Sequence, residues 1–355
     1  MKLLSELKRP VLLLFETILL GPSYANFLYW TRNVEALDPT ATWQFFTKSK
    51  AKFYEWVLSN YPPRFFREIL RDLYFRKTPE FKDHQIGISH HYNISNSFYK
   101  LFLDKKYMFY SCADFLEKTD TLELAQDYKA NYLLNLIEPN PGEKILDLGC
   151  GWGAMLKKIH DKTGDKENLY GYTLSIEQKK YIDENYGFNV EIKDFIIPEY
   201  KRESFDKIFS IGALEHVREH ELLPLSKKLS DALKPNGKII HQFFCQTDSV
   251  FPTRLMAAGF LMFPGSELTY LKKHLDIFEK ANLKIIHHSI HDYRPTLKAW
   301  FDRMVENKEV AIQLVGVRNF NKYQCYLAEA WRLFNDHELM LMRLVMTRNI
   351  DEHAP

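Results

Sequence analysis

The chain has 355 residues, 46% of them hydrophobic and 26% charged, with 48 Lys and Arg against 46 Asp and Glu. That length exceeds one ordinary core, and the balance of charge and apolarity excludes a miniprotein, a disordered or fibrous chain and a dedicated nucleic-acid binder. The cysteines, Cys112, Cys150, Cys245 and Cys325, lie far apart without a C-x-x-C pair, which argues against a zinc site or disulfide scaffold and fits a reducing cytoplasm.

The first apolar stretch, Val11 to Leu20, carries Glu16 and falls short of the roughly 20 residues a membrane span needs. Lys2, Lys8 and Arg9 precede it, but no small-residue cleavage site follows, so it reads as part of the mature protein. Residues 1–110 hold 24 aromatic side chains, and through His90 there are 13 Lys or Arg against 9 Asp or Glu. Rings sit beside basic residues at Trp30-Thr31-Arg32, Arg64-Phe65-Phe66-Arg67 and Tyr74-Phe75-Arg76-Lys77. This pattern predicts a helical N-terminal domain, residues 1–85, with two readings: a docking face for an anionic membrane surface, or a plain aromatic core. The same domain is where a homodimer would form.

Residues 86–355 predict a catalytic α/β domain. Strands are expected at Glu143 to Leu148, Asn168 to Leu174, Val190 to Lys193, Phe205 to Ile211 and Gly237 to Phe244. Helices are expected at Ala154 to His160, Ser175 to Tyr186 and Glu219 to Leu233. Alternation of strand and helix implies a mostly parallel, Rossmann-like sheet. Past Phe244 the spacing from Ser266 to Leu275 is helical, and Leu283 to Ile290 with Glu338 to Thr347 predict a closing antiparallel pair, giving seven strands.

The most informative stretch is Leu146-Asp147-Leu148-Gly149-Cys150-Gly151-Trp152-Gly153, a strand end that opens a helix. Glycines there let a ligand approach the backbone, but the third comes one residue too early for the G-x-G-x-x-G of a pyrophosphate site, which disfavours a dehydrogenase. Asp147 suits the positive end of a ligand, and so S-adenosylmethionine rather than a phosphate. The second strand ends in Thr173-Leu174-Ser175 without the usual ribose-binding acid, which leaves that work to Thr173, Gln178 or their backbone neighbours. Asp194, after the third strand, is placed for the adenine amino group.

Four separated segments carry a family resemblance: His90-His91-Tyr92-Asn93-Ile94-Ser95-Asn96-Ser97-Phe98-Tyr99 with Tyr110-Ser111-Cys112-Ala113; Thr121-Leu122-Glu123-Leu124-Ala125-Gln126; the glycine turn with Gly171-Tyr172-Thr173-Leu174-Ser175; and Ser210-Ile211-Gly212-Ala213-Leu214-Glu215-His216-Val217. Over about residues 88–305 the chain resembles the cyclopropane-fatty-acid synthase family, including the mycolic acid cyclopropane synthases, within the class I methyltransferases. The resemblance implies methyl transfer from S-adenosylmethionine to the cis double bond of an unsaturated phospholipid acyl chain. Ring closure would use bicarbonate as base, in a protein held at the inner face of the cytoplasmic membrane. It implies a bicarbonate cage of Cys112, chiefly through its backbone, Glu215, His241 and Tyr293. It also assigns Tyr110 and Ser111, and His91 and Tyr92 with them, to a lid over the amino-acid end of the cofactor, and makes Thr173, Leu174 and Gln178 the substitute for the missing acid.

Departures from the family are a short segment between His241 and Phe263-Pro264-Gly265, which shapes the acyl pocket, and the absence of Arg-x-Gly near Phe334 to His337. The apolar helix expected over Phe251 to Phe263 suits an acyl tunnel or a bilayer face. Competing readings are a methyl- or methylene-branching lipid methyltransferase, a small-molecule N-methyltransferase and a non-catalytic lipid-binding scaffold.

Overall fold

The computed structural model describes residues 22–48, 50, 57, 96–248, 262 and 268–349. His91, Tyr92, two of the three aromatic–basic groups and all of the expected Phe251 to Phe263 helix except Met262 lie outside them. The chain divides into two compact units. In chain order the helices are α1 (Pro22–Thr31), α2 (Pro39–Thr47), α3 (Asn96–Phe102), α4 (Leu122–Ile137), α5 (Ala154–Thr163), α6 (Ile176–Asn185), α7 (Glu219–Ala232), α8 (Leu271–Lys280), α9 (Arg294–Glu306) and α10 (Lys308–Asn335). The strands are β1 (Ile145–Asp147), β2 (Leu169–Thr173), β3 (Asn189–Ile192), β4 (Phe205–Ile211), β5 (Leu233–Gln246), β6 (Leu283–His291) and β7 (Leu339–Arg348).

The second unit carries a seven-stranded sheet in the order β3-β2-β1-β4-β5-β7-β6. The first five strands are parallel, and β7 runs antiparallel to both β5 and β6, which is the expected closing pair. Alternation along each strand feeds two apolar layers. Leu146, Ile208, Ile239 and Phe243 meet Leu222, Leu225 and Leu229 of α7 and Ile277 and Phe278 of α8. Ile145, Phe209, Ile240 and Val345 meet Leu133 and Ile137 of α4 and Leu156 and Ile159 of α5. Buried on both faces, the inner strands read as continuous apolar runs.

Local signals set the helix starts. Thr121 caps α4 by accepting from Leu124 N, and Ser175 caps α6 by accepting from Gln178 N. Strand β5 begins earlier than the glycine at 237 suggested. It opens at Leu233, opposite Phe205, and slips register before Lys238 pairs with Lys207, an irregularity that accommodates Pro235, which has no N–H to give a ladder.

The described part of the first unit comprises α1, α2, α3, the later residues of α9 and α10, and it is aromatic throughout. Phe27, Leu37, Phe46, Cys325 and Ala328 form its core, while Phe98, Tyr99, Phe102 and Tyr323 make ring contacts of 4.9 to 6.2 Å between centroids. Trp30 packs 4.8 Å from Phe45, so this ring of the one described aromatic–basic triplet belongs to the core, while Arg32 is exposed. Helix α10, absent from the sequence expectations, spans 28 residues with a kink at Gly316, whose φ of 78° and ψ of 160° suit glycine alone.

Candidate active site

The glycine turn leaves β1 pinned on both sides. Leu148 N donates to Phe209 O and Cys150 N to Tyr172 O, both at 2.9 Å, tying the turn to β4 and β2. The glycines serve different ends. A Cβ on Gly149 would stand 2.7 Å from the Ala213 Cβ, and one on Gly153 3.0 Å from Ile182, so these two are required by packing. Only Gly151 of the three, at a φ of +53°, faces open space, so its bareness leaves room for a ligand rather than for a packed neighbour.

Asp147 is buried directly beneath. Its Oδ1 accepts from Gly149 N at 3.2 Å, and burial pushes its carboxyl up to about 7. A carboxylate so poorly solvated gains from a cation, which fits the ammonium end of S-adenosylmethionine. At the end of β2, Thr173 Oγ1 lies 2.6 Å from Gln178 Oε1 and also accepts from Ser175 N. Gln178 Nε2 makes no hydrogen bond among the described residues, which leaves two donors for a ribose. Leu174 continues this turn half-buried, and Asp194 is buried with Oδ1 on Ile196 N.

A second group assembles around Tyr110 to Asp114. The Ser111 hydroxyl is 2.9 Å from Lys129 Nζ, and its carbonyl accepts from Gln126 Nε2 at 3.0 Å, both from α4. Cys112 is fully buried, its thiol pushed up to about 12 by burial, with Sγ 3.5 Å from Asp292 O. That thiol is inert at neutral pH, which fits a role for the backbone rather than the sulfur. Ala113 N donates to Thr296 Oγ1, and Asp114 takes a two-pronged grip from Arg343.

Glu215 stands on a single 3₁₀ turn, Leu214–His216, directly after β4. A Cβ on Gly212, whose φ is +72°, would lie 3.4 Å from Ser111 Cβ, 3.7 Å from Glu215 Oε1 and 4.0 Å from Tyr110 O, so these three residues converge on one point. Glu215 is buried with Oε2 unpartnered among the described residues, and burial pushes its carboxyl up to about 8. Tyr293, buried, follows the Asp292 carbonyl that meets Cys112, and its ring is 6.4 Å from Phe244. His241 sits mid-strand in β5 opposite Ser210, with Nδ1 2.7 Å from Ser210 Oγ and its ring stacked 6.1 Å from Phe278. Burial, with the nearby His274 adding to it, drives His241 down to about 3, so it is neutral. Ser111, Tyr110 and Glu215 therefore lie around one point, Cys112 and Tyr293 are joined through Asp292, and His241 pairs with Ser210, two residues upstream of Gly212 in β4.

Residues 79–344 match the family model of the mycolic acid cyclopropane synthetases, three quarters of the chain. The chain belongs to that family. Among relatives of known sequence, a probable fatty acid methyltransferase of Pseudomonas putida is 31% identical over 68% of this chain and 64% of its own. A second probable fatty acid methyltransferase, from Mycobacterium tuberculosis, is 28% identical over 74% of this chain and 62% of its own, so this chain spans less than two thirds of either. The cyclopropane mycolic acid synthase MmaA2 of M. tuberculosis is 29% identical over 72% of this chain and 93% of its own length. Its structure superposes with a TM-score of 0.70 at 23% identity, covering 75% of this chain and 99% of that one, a likeness of fold. The family's members are S-adenosylmethionine-dependent methyltransferases acting on lipids.

Residue-type reasoning did not single out the supports of this cyclopropane synthetase-family site: Lys129, Asp114, Arg343 and Thr296. Gln126 was visible only as the last residue of the Thr121 to Gln126 segment. No periodicity announces that α4, β7 and the β6–α9 join meet around residues 110–114. Among the described residues no helix is long and apolar enough to cross a membrane, and no group of His, Cys, Asp or Glu is placed to hold a metal ion.

Proposed function

We propose that the chain transfers the sulfonium methyl group of S-adenosylmethionine to a cis double bond in an unsaturated phospholipid acyl chain and closes a cyclopropane ring. The observation that carries this is Glu215, a buried carboxyl with a free oxygen at the strand end where the glycine turn and the Tyr110–Ser111 segment also arrive. An amine acceptor is protonated in water and must lose a proton before it can attack, and a carboxyl that already holds its own proton at neutral pH is a poor base for that step.

When bound, the cofactor supplies an electrophilic methyl group: the alkene π pair forms the new C–C bond, and the C–S electrons remain on sulfur. Asp147 binds the ammonium of its amino-acid end, Ser111 its carboxylate, Gln178 and the Thr173 to Leu174 turn its ribose, and Asp194 its adenine. A proton must leave the transferred methyl for the ring to close, giving a net gain of one CH₂. Bicarbonate fits the cage as the acceptor of that proton. Glu215, holding its proton at neutral pH, donates to an anion, as does the Tyr293 hydroxyl; with Ser210 donating to His241 Nδ1, His241 Nε2 donates too. The Cys112 backbone completes the wall. Burial of these groups excludes water, which would otherwise capture the carbocation.

The enzyme would work at the inner face of the membrane, its basic, aromatic N-terminal region resting on anionic lipid, with pairing of two copies through the same region. Mass spectrometry of unsaturated phospholipid incubated with protein and S-adenosylmethionine tests the reaction. The expected product gains one CH₂ on the acyl chain and loses its olefin. A methyl or methylene branch would correct the final step, whereas a gain on a headgroup nitrogen would overturn carbon methylation altogether.

A further inference from the structure

Lys129 has no role in the reaction described so far, yet it is fully buried on α4. Its Nζ lies 2.9 Å from Ser111 Oγ and 3.5 Å above the centre of the Phe109 ring. Among the described residues it has no carboxylate partner. The Asp104 oxygens are taken by Tyr107 N and Phe109 N at 2.6 and 2.9 Å, and those of Asp114 by Arg343 and His291. A buried amine with no anion is expensive to charge.

Once charged, Lys129 has only donors, so Ser111 Oγ must accept from it and turns its hydroxyl hydrogen toward a third group, whereas the neutral amine can itself accept that hydrogen. Ser111 borders the Gly212 and Glu215 corner of the site, where no described residue accepts that hydrogen. Resting on the cofactor reading above, we infer that Lys129 is a positioning residue for the carboxylate of S-adenosylmethionine: it aims the Ser111 hydroxyl at that carboxylate and takes up a proton when the carboxylate arrives.

The surrounding charges agree with this. Burial brings Lys129 down to about 7; the carboxylates of Asp104 and Asp114 oppose the fall and Arg343 on β7 adds to it, while the neighbouring Cys112 thiol is uncharged at these pH values. An added carboxylate one hydrogen bond away favours the charged form and draws a proton from solvent at any pH where the free protein holds the neutral amine. Asp147 acts in the opposite sense: still partly protonated near neutrality, it releases a proton on meeting the cofactor's ammonium.

Titration calorimetry with S-adenosylhomocysteine, in buffers of different ionisation heat, reads both. The wild-type protein should take up close to one proton per ligand at about pH 8 and release protons at about pH 6. Lys129→Met and Lys129→Gln should lose the uptake and keep the release, with affinity at about pH 8 lowered roughly tenfold in Lys129→Met. In wild-type protein, 5′-methylthioadenosine, which lacks the amino-acid end, should bind without uptake, a comparison that needs no variant to fold. Equal uptake with both ligands, or unchanged uptake in Lys129→Gln, would overturn the inference. No binding of S-adenosylhomocysteine by wild-type protein would instead remove the cofactor reading, and this inference with it.

Discussion

Arg343, wholly buried in β7, grips Asp114 through two parallel hydrogen bonds of 2.7 and 2.9 Å and reaches Gln242 Oε1 with its remaining Nε at 2.8 Å. Asp114 lies two residues beyond Cys112, so this fork fixes the segment that forms one wall of the site. Burial alone would raise the Asp114 carboxyl, but the hydrogen bonds from His291 and Arg343 overcome it and hold the group below its usual range.

Removing one partner strands the other charge. Arg343→Met should therefore cost about 3–5 kcal/mol of unfolding free energy, measured by urea denaturation. The wild-type excess over the variant should be full above the ordinary Asp range and shrink as pH falls through it, because Asp114 must then accept a proton in the folded state. A loss below about 1 kcal/mol would show the fork to be dispensable.

Glu215→Gln should leave affinity for S-adenosylhomocysteine within about twofold while cutting kcat at least a hundredfold, because it removes the proton-bearing group and leaves the nucleoside site intact. Stability supplies a second readout. The folded protein keeps the Glu215 proton up to about pH 8 while the unfolded chain loses it near the ordinary carboxyl value of 4.5, so stability falls as pH rises across that window. The variant should flatten this slope, as thermal melts at several pH values would reveal; parallel losses of binding and turnover would count against the assignment.

Gly151→Val places a β-branched side chain at positive φ and into the only open space along the glycine turn. Stability should drop by roughly 1–3 kcal/mol from backbone strain, and cofactor affinity by a larger factor than that strain explains. Unaltered affinity in calorimetry would mean the ligand lies elsewhere.

Asn321 on α10 accepts from Leu37 N at 2.9 Å and donates to Glu35 O at 2.9 Å, stitching the loop between α1 and α2 to a helix nearly three hundred residues later. Asn321→Ala orphans the buried Leu37 N–H and releases the more exposed Glu35 carbonyl, and an unfolding penalty of about 1–2 kcal/mol is expected, read by denaturant titration. A neutral result would show that water replaces the side chain.

Binding to vesicles tests the membrane proposal. Association with anionic phospholipid should exceed that with neutral lipid by at least about tenfold at low salt and decline steeply near 1 M, where screening shortens to about 3 Å. Equal binding to both vesicles would leave the front segment as core alone, as Trp30 already is.

How much was legible in advance follows from range. Ile145 to Gly153, Phe205 to Ile211 and the Ser175 cap are local: apolar alternation, glycine spacing and a capping hydroxyl within a few residues dictate strand, turn and helix start, and the expected sheet with its closing antiparallel pair is the one observed. Asp147 and Glu215 were visible as carboxylates at strand ends, since parallel topology alone puts those ends together. Which glycines pack and which faces open space was not legible, because Ala213 and Ile182 approach Gly149 and Gly153 from other elements. Nor was the support of Ser111 by Lys129 or of Asp114 by Arg343. Those pairs are separated by 18 and 229 residues, and a charged residue in isolation reads as solvated surface. Only the meeting of α4 and β7 with the Tyr110 to Asp114 segment removes water from these groups, and it is that desolvation that shifts the protonation of Lys129 and makes the Asp114 carboxylate depend on Arg343 and His291.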